Sequence, residues 1–335
     1  MDAKERKRGM RRLPVGGAAF VGFLALAPMA AGAAEEVVRL GDLLALSNAG
    51  IYLAIDKGFF KEQGIQNEIS TFASAGKMLP ALAAGELDVS VGGASAGLMN
   101  AIAQGAPYRV VADKGQARAG TGFTMLTVRK DLVDSGQVKS VKDLKGRKVA
   151  FFAKGIIHDY VMGKMAEEEG LTIKDFEITY LGAPSQLTAL ETKAIDAAVT
   201  TEPWGARFEE RKVAVRFRMP DQVKGLAPVQ IGVIIYAGKF ATERRDAAQR
   251  WTNAYRKGVS FFNTKGPQDP EVLAILEKYT KVPAAIIKAV FPPYLAPDGK
   301  PSLESLADQI KWFVANGYMP QPITTEKVLD LQYLK

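Results

Sequence analysis

With 335 residues, 47% of them hydrophobic and 24% charged, the chain has material for one large two-lobed domain or two ordinary domains with real cores, and general disorder is excluded. Cysteine is absent and His158 is the single histidine, which excludes disulfide frameworks, cysteine nucleophiles, iron–sulfur clusters and Cys/His zinc sites. The 44 Lys and Arg outnumber the 36 Asp and Glu to give +8, a balance that ordinarily points to nucleic acid or an anionic membrane. Half of that excess, however, lies in the first dozen residues, where Lys4, Arg6, Lys7, Arg8, Arg11 and Arg12 face only Asp2 and Glu5.

After Arg12 comes an uncharged stretch, LPVGGAAFVGFLALAPMAAGAA, which carries Ala31-Gly32-Ala33 just before Glu35 and Glu36. A positive n-region, an apolar core and a small-residue cleavage site read as a secretory leader over residues 1–33, cut after Ala33. The competing reading is an uncleaved anchor, which Gly16, Gly17, Gly22 and Pro28 weaken as a permanent helix. Arg11-Arg12 leaves ordinary and twin-arginine export both open. The expected mature protein lies outside the cytoplasm, and the charge that would attract nucleic acid departs with the leader.

The mature part alternates short β-type runs with helical patterns, the signature of parallel sheets with crossover helices. VVRLGD (37–42) reads as a strand, and Ser47 or Asn48 is placed to cap a helix AGIYLAIDKGFF (49–60). EISTF, a helix over 77–84, the strand DVSVGG, the helix SAGLMNAIAQG and the strand YRVVAD follow. A second series runs from FTMLTVRK through RKVAFFA, a helix over 158–169, FEITYLG, PSQLTALETK, IDAAVTT, a helix around Trp204, and VAVRFR. Beyond residue 238 the pattern is mainly helical: Trp251, Tyr255, Val259 and Phe262 mark one face, with further helices around 271–280, 283–290 and 302–316.

The two series are one pattern repeated. Adding 108 carries Ala81-Leu82 onto Ala189-Leu190, Leu87-Asp88 onto Ile195-Asp196, Val91 onto Val199, and FTMLTVRK onto IGVIIYAG (231–238). The strand that completes the first unit therefore comes after the second unit ends, so the chain leaves one lobe, builds the other and returns. This predicts an α/β fold of two lobes joined by two crossing strands, near 113–122 and 218–230, with a cleft at the carboxyl ends of both sheets. The first lobe takes residues 34–116 and 225–335, with the C-terminal helices, and the second takes 117–224.

AIDKGFFKEQGI, LAAGELDVSVGGASAGLMNAIAQG, SVKDLKGRKVA and TTEPW are similar, in this order, to signature stretches of the periplasmic substrate-binding proteins of the nitrate, sulfonate, taurine and thiamine-pyrimidine-precursor ABC importers. The resemblance covers about residues 37–240. It implies a type II periplasmic binding protein fold, a periplasmic location, a small solute trapped between the lobes, and an ABC permease in the inner membrane, with its cytoplasmic ATPase, as partner. A monomer without cofactor or metal is expected.

Loops where strands feed helices build such a cleft, because their free N–H groups and the helix dipole favour an anionic or hydrogen-bonding ligand. The sequence offers four such loops. In the first, Ser47 and Asn48 either cap a helix or touch ligand, and Tyr52 follows. In the second, Ser74 and Gly76 suit close backbone approach, and Lys77 either reaches an anion or is solvated. In the third, Gly93, Ala94 and Ser95 follow a buried strand, and Ser95 offers a hydroxyl. In the other lobe Phe152, Gly155 and His158 form the equivalent loop, where a helix dipole favours a neutral imidazole that either meets ligand or serves structure. The offset places Glu202 opposite the third loop, as helix cap or as acceptor for ligand amino or hydroxyl groups; the resemblance favours the second. Thr121 sits between Gly120 and Gly122 at a crossing, in a hinge or a plain turn. Trp204, Phe152 and Tyr52 either sandwich a flat ligand or pack in the core.

These readings give a solute-binding component of an ABC importer for a small organic anion of the sulfonate or aromatic carboxylate type. The alternatives are a thiamine-precursor pyrimidine or nitrate as ligand, or a sensor reporting solute to a membrane receptor. Catalysis is not expected: no G-x-S-x-G elbow is present, Asp88 and Asp196 precede buried strands in different lobes, and the pyrimidine-forming enzymes that the resemblance reaches depend on a cysteine-rich motif absent from this chain.

Overall fold

The structure, a computed structural model, describes residues 35–72 and 74–335; the expected leader over 1–33 and its cut after Ala33 lie outside the described residues. The first unit consists of β1 (Glu36–Asp42), α1 (Ala49–Asp56), α2 (Phe59–Glu62), β2 (Ile65–Thr71), α3 (Ala75–Ala84), β3 (Val89–Gly93), α4 (Ala96–Ala103) and β4 (Tyr108–Ala117). The second consists of β5 (Thr124–Arg129), α5 (Lys130–Asp134), β6 (Lys148–Phe151), α6 (Ile157–Glu168), β7 (Glu177–Tyr180), α7 (Ala183–Glu191), β8 (Ala197–Thr201), α8 (Trp204–Glu210) and β9 (Ala214–Arg218). Then come β10 (Val229–Ala237), α9 (Gly238–Glu243), α10 (Arg245–Lys265), α11 (Pro270–Thr280), α12 (Ala284–Ala289), α13 (Leu303–Ala315) and α14 (Thr325–Val328). Among the described residues no helix is long and apolar enough to cross a membrane.

Two five-stranded sheets result, ordered β2-β1-β3-β10-β4 and β7-β6-β8-β5-β9. In each, four strands share one direction and a single antiparallel strand, β10 or β5, is inserted between the third and the last of them, β4 or β9. The sequence offset reappears as geometry. A shift of 108 carries the pair Gly232↔Gly93 onto Thr124↔Thr201, while β1 and β6 slip by one, Leu40↔Val89 answering Val149↔Ala197. The chain passes between the sheets twice, over residues 118–123 and 219–228. Every residue of the inserted strand β10 is buried, as expected for a central strand covered on both faces.

Asp88 and Asp196 are explained by the repeat. Each precedes its third strand, and its carboxylate accepts from a backbone N–H of the first, Arg39 N at 2.9 Å and Lys148 N at 3.1 Å. They lock strand register.

The helix expected over 49–60 is in fact two. Gly58, at φ 76°, adopts a left-handed conformation that closes α1 and turns the chain into α2. Ser47 and Asn48 make no side-chain cap to α1; they lie in a 3-10 turn, Leu46–Asn48, and their side chains are engaged elsewhere. The long helix α10 crosses α1 so closely that a Cβ on Gly258 would stand 1.9 Å from the Gly50 carbonyl oxygen. Helix α13 reaches the second unit, where the Trp312 ring lies over Gly163 of α6 and its indole N–H donates to Glu167 at 2.7 Å.

Candidate functional site

At the carboxyl end of β1 the chain buries Asp42, Ser47, Asn48, Tyr52 and, from β4, Lys114. The Lys114 ammonium donates to Ser47 Oγ and to Asn48 Oδ1, both at 2.8 Å. Asn48 Nδ2 donates to Asp42 and to Tyr52 Oη, and Tyr52 O–H donates to Asp42 Oδ2 at 2.8 Å. Burial pushes the Lys114 ammonium down to about 8 against the pull of Asp42 and Asp113. A row of glycines makes this lysine's path. Gly93, Gly232 and Gly115 stand in register across β3, β10 and β4, and a Cβ on Gly232 would meet Lys114 Cε at 2.8 Å.

Beyond that row Ser95 caps α4, its Oγ accepting from Leu98 N at 3.2 Å. The next residue, Ala96, donates its N–H to the carbonyl of Gly155 at 2.9 Å, so the loop after β3 meets the loop after β6 across the two sheets. Gly155, buried at φ 74°, is the position that lets the second loop approach: even a methyl there would touch the Ala96 side chain at 3.4 Å. The loop is held by Asp159, whose Oδ2 accepts from Gly155 N and Ile156 N at 3.0 and 3.1 Å and whose Oδ1 accepts from Tyr318 O–H at 2.9 Å. Burial nevertheless raises the Asp159 carboxyl.

His158 is fully enclosed, and desolvation pushes it down to about 3, so the ring is neutral. Its Nδ1 accepts from Phe152 N at 3.4 Å, and its Nε2 lies 3.1 Å from Thr201 Oγ1 at the end of β8. The Phe152 ring packs on the imidazole at 4.5 Å.

Glu202 is buried with both oxygens engaged: it accepts from Ala206 N in the first turn of α8 at 3.0 Å, from Arg216 at 2.9 Å and from Phe291 N at 3.4 Å. Desolvation raises its carboxyl despite those partners. In this arrangement neither oxygen is without a donor from the protein.

The sequence-selected residues therefore fall into groups. Ser47, Asn48, Gly93, Ala94 and Ser95 gather in the first lobe, and Phe152, Gly155 and His158 gather opposite them. Tyr52, read as facing a flat ligand or packing in the core, takes the second place: it is buried and stacked on Tyr279 at 5.0 Å, with its hydroxyl drawn inward by Asp42. Trp204 is covered by the Arg207 guanidinium at 4.7 Å. Thr121 makes a tight turn with Arg118, its hydroxyl accepting from Arg118 N at 3.2 Å. Ser74 and Gly76 are exposed, and a Cβ on Gly76 would meet nothing within 4 Å, so no close backbone approach needs that glycine. Sequence reasoning missed Asp42, Lys114, Asp159 and Tyr318. The one available signal was the polar run Asp113-Lys114-Gly115-Gln116 at the end of a β-type strand, charges that must find partners if buried.

Two lobes of one topology, threaded by two crossings and facing each other at their strand ends, define the periplasmic binding protein fold. The family model described as NMT1/THI5 like matches residues 46–268, more than half of the chain, and the chain belongs to that family. The alkanesulfonate-binding protein SsuA from Xanthomonas axonopodis pv. citri, bound to MOPS, superposes with a TM-score of 0.71 at 18% identity, covering 88% of this chain and 98% of that one. The periplasmic nitrate-binding protein NrtA from Synechocystis PCC 6803 gives 0.71 at 16%, covering 88% and 86%. The desulfurization enzyme DSZB gives 0.62 at 13%, covering 89% and 97%, so the same fold also carries an enzyme. No curated protein matches the chain.

Proposed function

We propose that this chain is the extracytoplasmic solute-binding component of an ABC importer, trapping a small organic anion of the sulfonate or aromatic carboxylate type between its lobes and delivering it to an inner-membrane permease. The observation that carries the reading is the direct meeting of Ala96 N–H with the Gly155 carbonyl, which joins the two strand-end loops across the cleft at 2.9 Å. The chain crosses between the lobes at 118–123 and 219–228, and a contact at the strand ends is one that opening about those crossings breaks and closure makes. Ligand bound by both loops stabilises the closed form by its differential affinity. Support for an anion comes from the buried Lys114 ammonium, which holds Ser47 and Asn48 at the end of the first strand. The reading includes lobes over 34–116 with 225–335 and over 117–224, a leader cut after Ala33, a periplasmic monomer, and binding without catalysis.

A thermal-shift screen against nitrate, methanesulfonate, taurine, aryl sulfonates, benzoates and hydroxymethylpyrimidines tests it. Ligand at 100 times its Kd adds about 2.7 kcal/mol, so a sulfonate or carboxylate raises Tm by several degrees. A well-folded protein that ignores the whole panel, or answers only to a pyrimidine, refutes the anion reading.

A further inference from the structure

Three hydroxyls stand at the facing loops, Ser47, Ser95 and Thr201, and each accepts a hydrogen bond from a donor that cannot reverse its role. Lys114 is an ammonium with three N–H groups and no acceptor, so Ser47 Oγ accepts from it at 2.8 Å. Leu98 N is a backbone donor, so Ser95 Oγ accepts at 3.2 Å. The His158 tautomer follows from the same logic: Phe152 N–H can only donate, so Nδ1 is the bare nitrogen, and a neutral ring then carries its proton on Nε2, facing Thr201 Oγ1 at 3.1 Å. Asn48 is fixed likewise, its Oδ1 taken by Lys114 and its Nδ2 given to Asp42.

Each hydroxyl is left with its own proton to give. Among the described residues neither Ser47 nor Ser95 has an acceptor for it, and Thr201 has only the Thr124 hydroxyl at 3.4 Å. The third N–H of Lys114 is also without a partner among them. Donors thus come from both lobes, while the nearby acceptors Asp42, Asp159 and Glu202 are consumed internally. We infer that Lys114 and His158 are positioning residues that turn the Ser47 and Thr201 hydroxyls into one-way donors, so that with Ser95 the site takes its ligand by an edge of acceptor oxygens and rejects an isostere that presents N–H groups there. The inference rests on the solute-binding reading and narrows it from a size and charge to a hydrogen-bond polarity. A site built this way discriminates steeply, because a donor-bearing edge leaves several donors facing donors.

The test uses matched probes, benzoate with benzamide and methanesulfonate with methanesulfonamide, titrated calorimetrically into the purified protein. The oxyanion of whichever pair fits binds at least 100-fold more tightly than its amide. Thr201→Val lowers oxyanion affinity about tenfold and Thr201→Ser restores it; Lys114→Met loses the oxyanion as well. Because Lys114→Met leaves Asp42 buried opposite a missing charge and can fail to fold, a second measurement needs no variant. His158 is the only histidine, so nitrogen-15 spectra of the imidazole show one ring, expected as the Nε2–H tautomer from pH 5 to 8, its Nε2 signal shifting on oxyanion binding. An amide that binds as well as its oxyanion, or an Nδ1–H ring, overturns this inference while leaving solute binding intact. If no probe binds at all, the solute-binding reading for these ligand classes fails and the polarity inference falls with it.

Discussion

Gly163→Ala sets two physical expectations against each other. The residue lies inside α6, where replacing glycine by alanine ordinarily stabilises a helix by about 1 kcal/mol. Here the added Cβ would stand 2.1 Å from Trp312 Cζ2, 2.7 Å from Cε2 and 3.0 Å from Cη2. Ordinary carbon contact requires the ring to retreat by roughly 1.5 Å. It has nowhere to go. Trp312 stacks on Tyr318 at 5.6 Å, meets Tyr160 edge-on at 5.8 Å, and is tied by its indole N–H to Glu167, one helical turn along from Gly163. Overpacking a site of this kind costs about 1–3 kcal/mol, which exceeds the propensity gain. An approach of 2.1 Å to a pinned ring puts the cost in the upper part of that range, so the net loss after the propensity gain is about 1–2 kcal/mol, or a few degrees in Tm. Urea unfolding reads it as a lowered midpoint at unchanged m. In a Trp312→Leu background the same substitution should cost nothing. A Gly163→Ala protein as stable as the parent, or more so, would refute the argument that the α13 ring is pinned against the second lobe.

Arg216 is mostly buried between Glu202 and Glu209, so Arg216→Met strands a buried carboxylate and is expected to cost about 3 kcal/mol, part of which Glu202→Leu in the same chain recovers; additive losses in that cycle would sink the pairing. For His158 the folded value, about 3, lies below the unfolded one near 6.5, so its contribution is intact above pH 6.5 and is lost as pH falls from there toward 3, at about 1.4 kcal/mol per pH unit. Stability of the parent minus that of His158→Gln, followed by denaturation from pH 8 to 4, should therefore decline below 6.5, and parallel curves would contradict it. Tyr318→Phe removes the 2.9 Å bond to Asp159, with an expected loss of about 1–2 kcal/mol and weaker solute binding, since Asp159 shapes the loop that carries Gly155. Calorimetry and denaturation unchanged in that variant would show the contact to be idle.

The architecture was legible because it is written in periodicity. Hydrophobic spacing separates strand from helix, and the offset of 108 between Leu87-Asp88 and Ile195-Asp196 survives as a register, Gly232↔Gly93 answering Thr124↔Thr201. The late strand at 231–238 could be assigned to the first sheet for the same reason, since a repeat that lacks one member locally must find it elsewhere in the chain. Gly93, Ser95, Gly155 and His158 were likewise reachable, because a loop that ends a buried strand and begins a helix is placed by topology alone.

Partner choice was not legible. Nothing in the local pattern says that Tyr52 turns inward to Asp42, that Glu202 spends itself on Ala206 and Arg216, or that Lys114 crosses a row of glycines from three strands to reach Ser47 and Asn48. These are contacts between residues distant in sequence, and their energies depend on burial, which removes water as a competing partner and obliges each polar group to find another. Sequence determined the order of strands and helices, and with it that the loops after β3 and β6 lie at strand ends, since that order follows from local spacing. Only the tertiary structure decided which of their side chains are spent on one another and which keep a proton to offer, because that is settled by distances of about 3 Å between groups that meet only once the chain has folded.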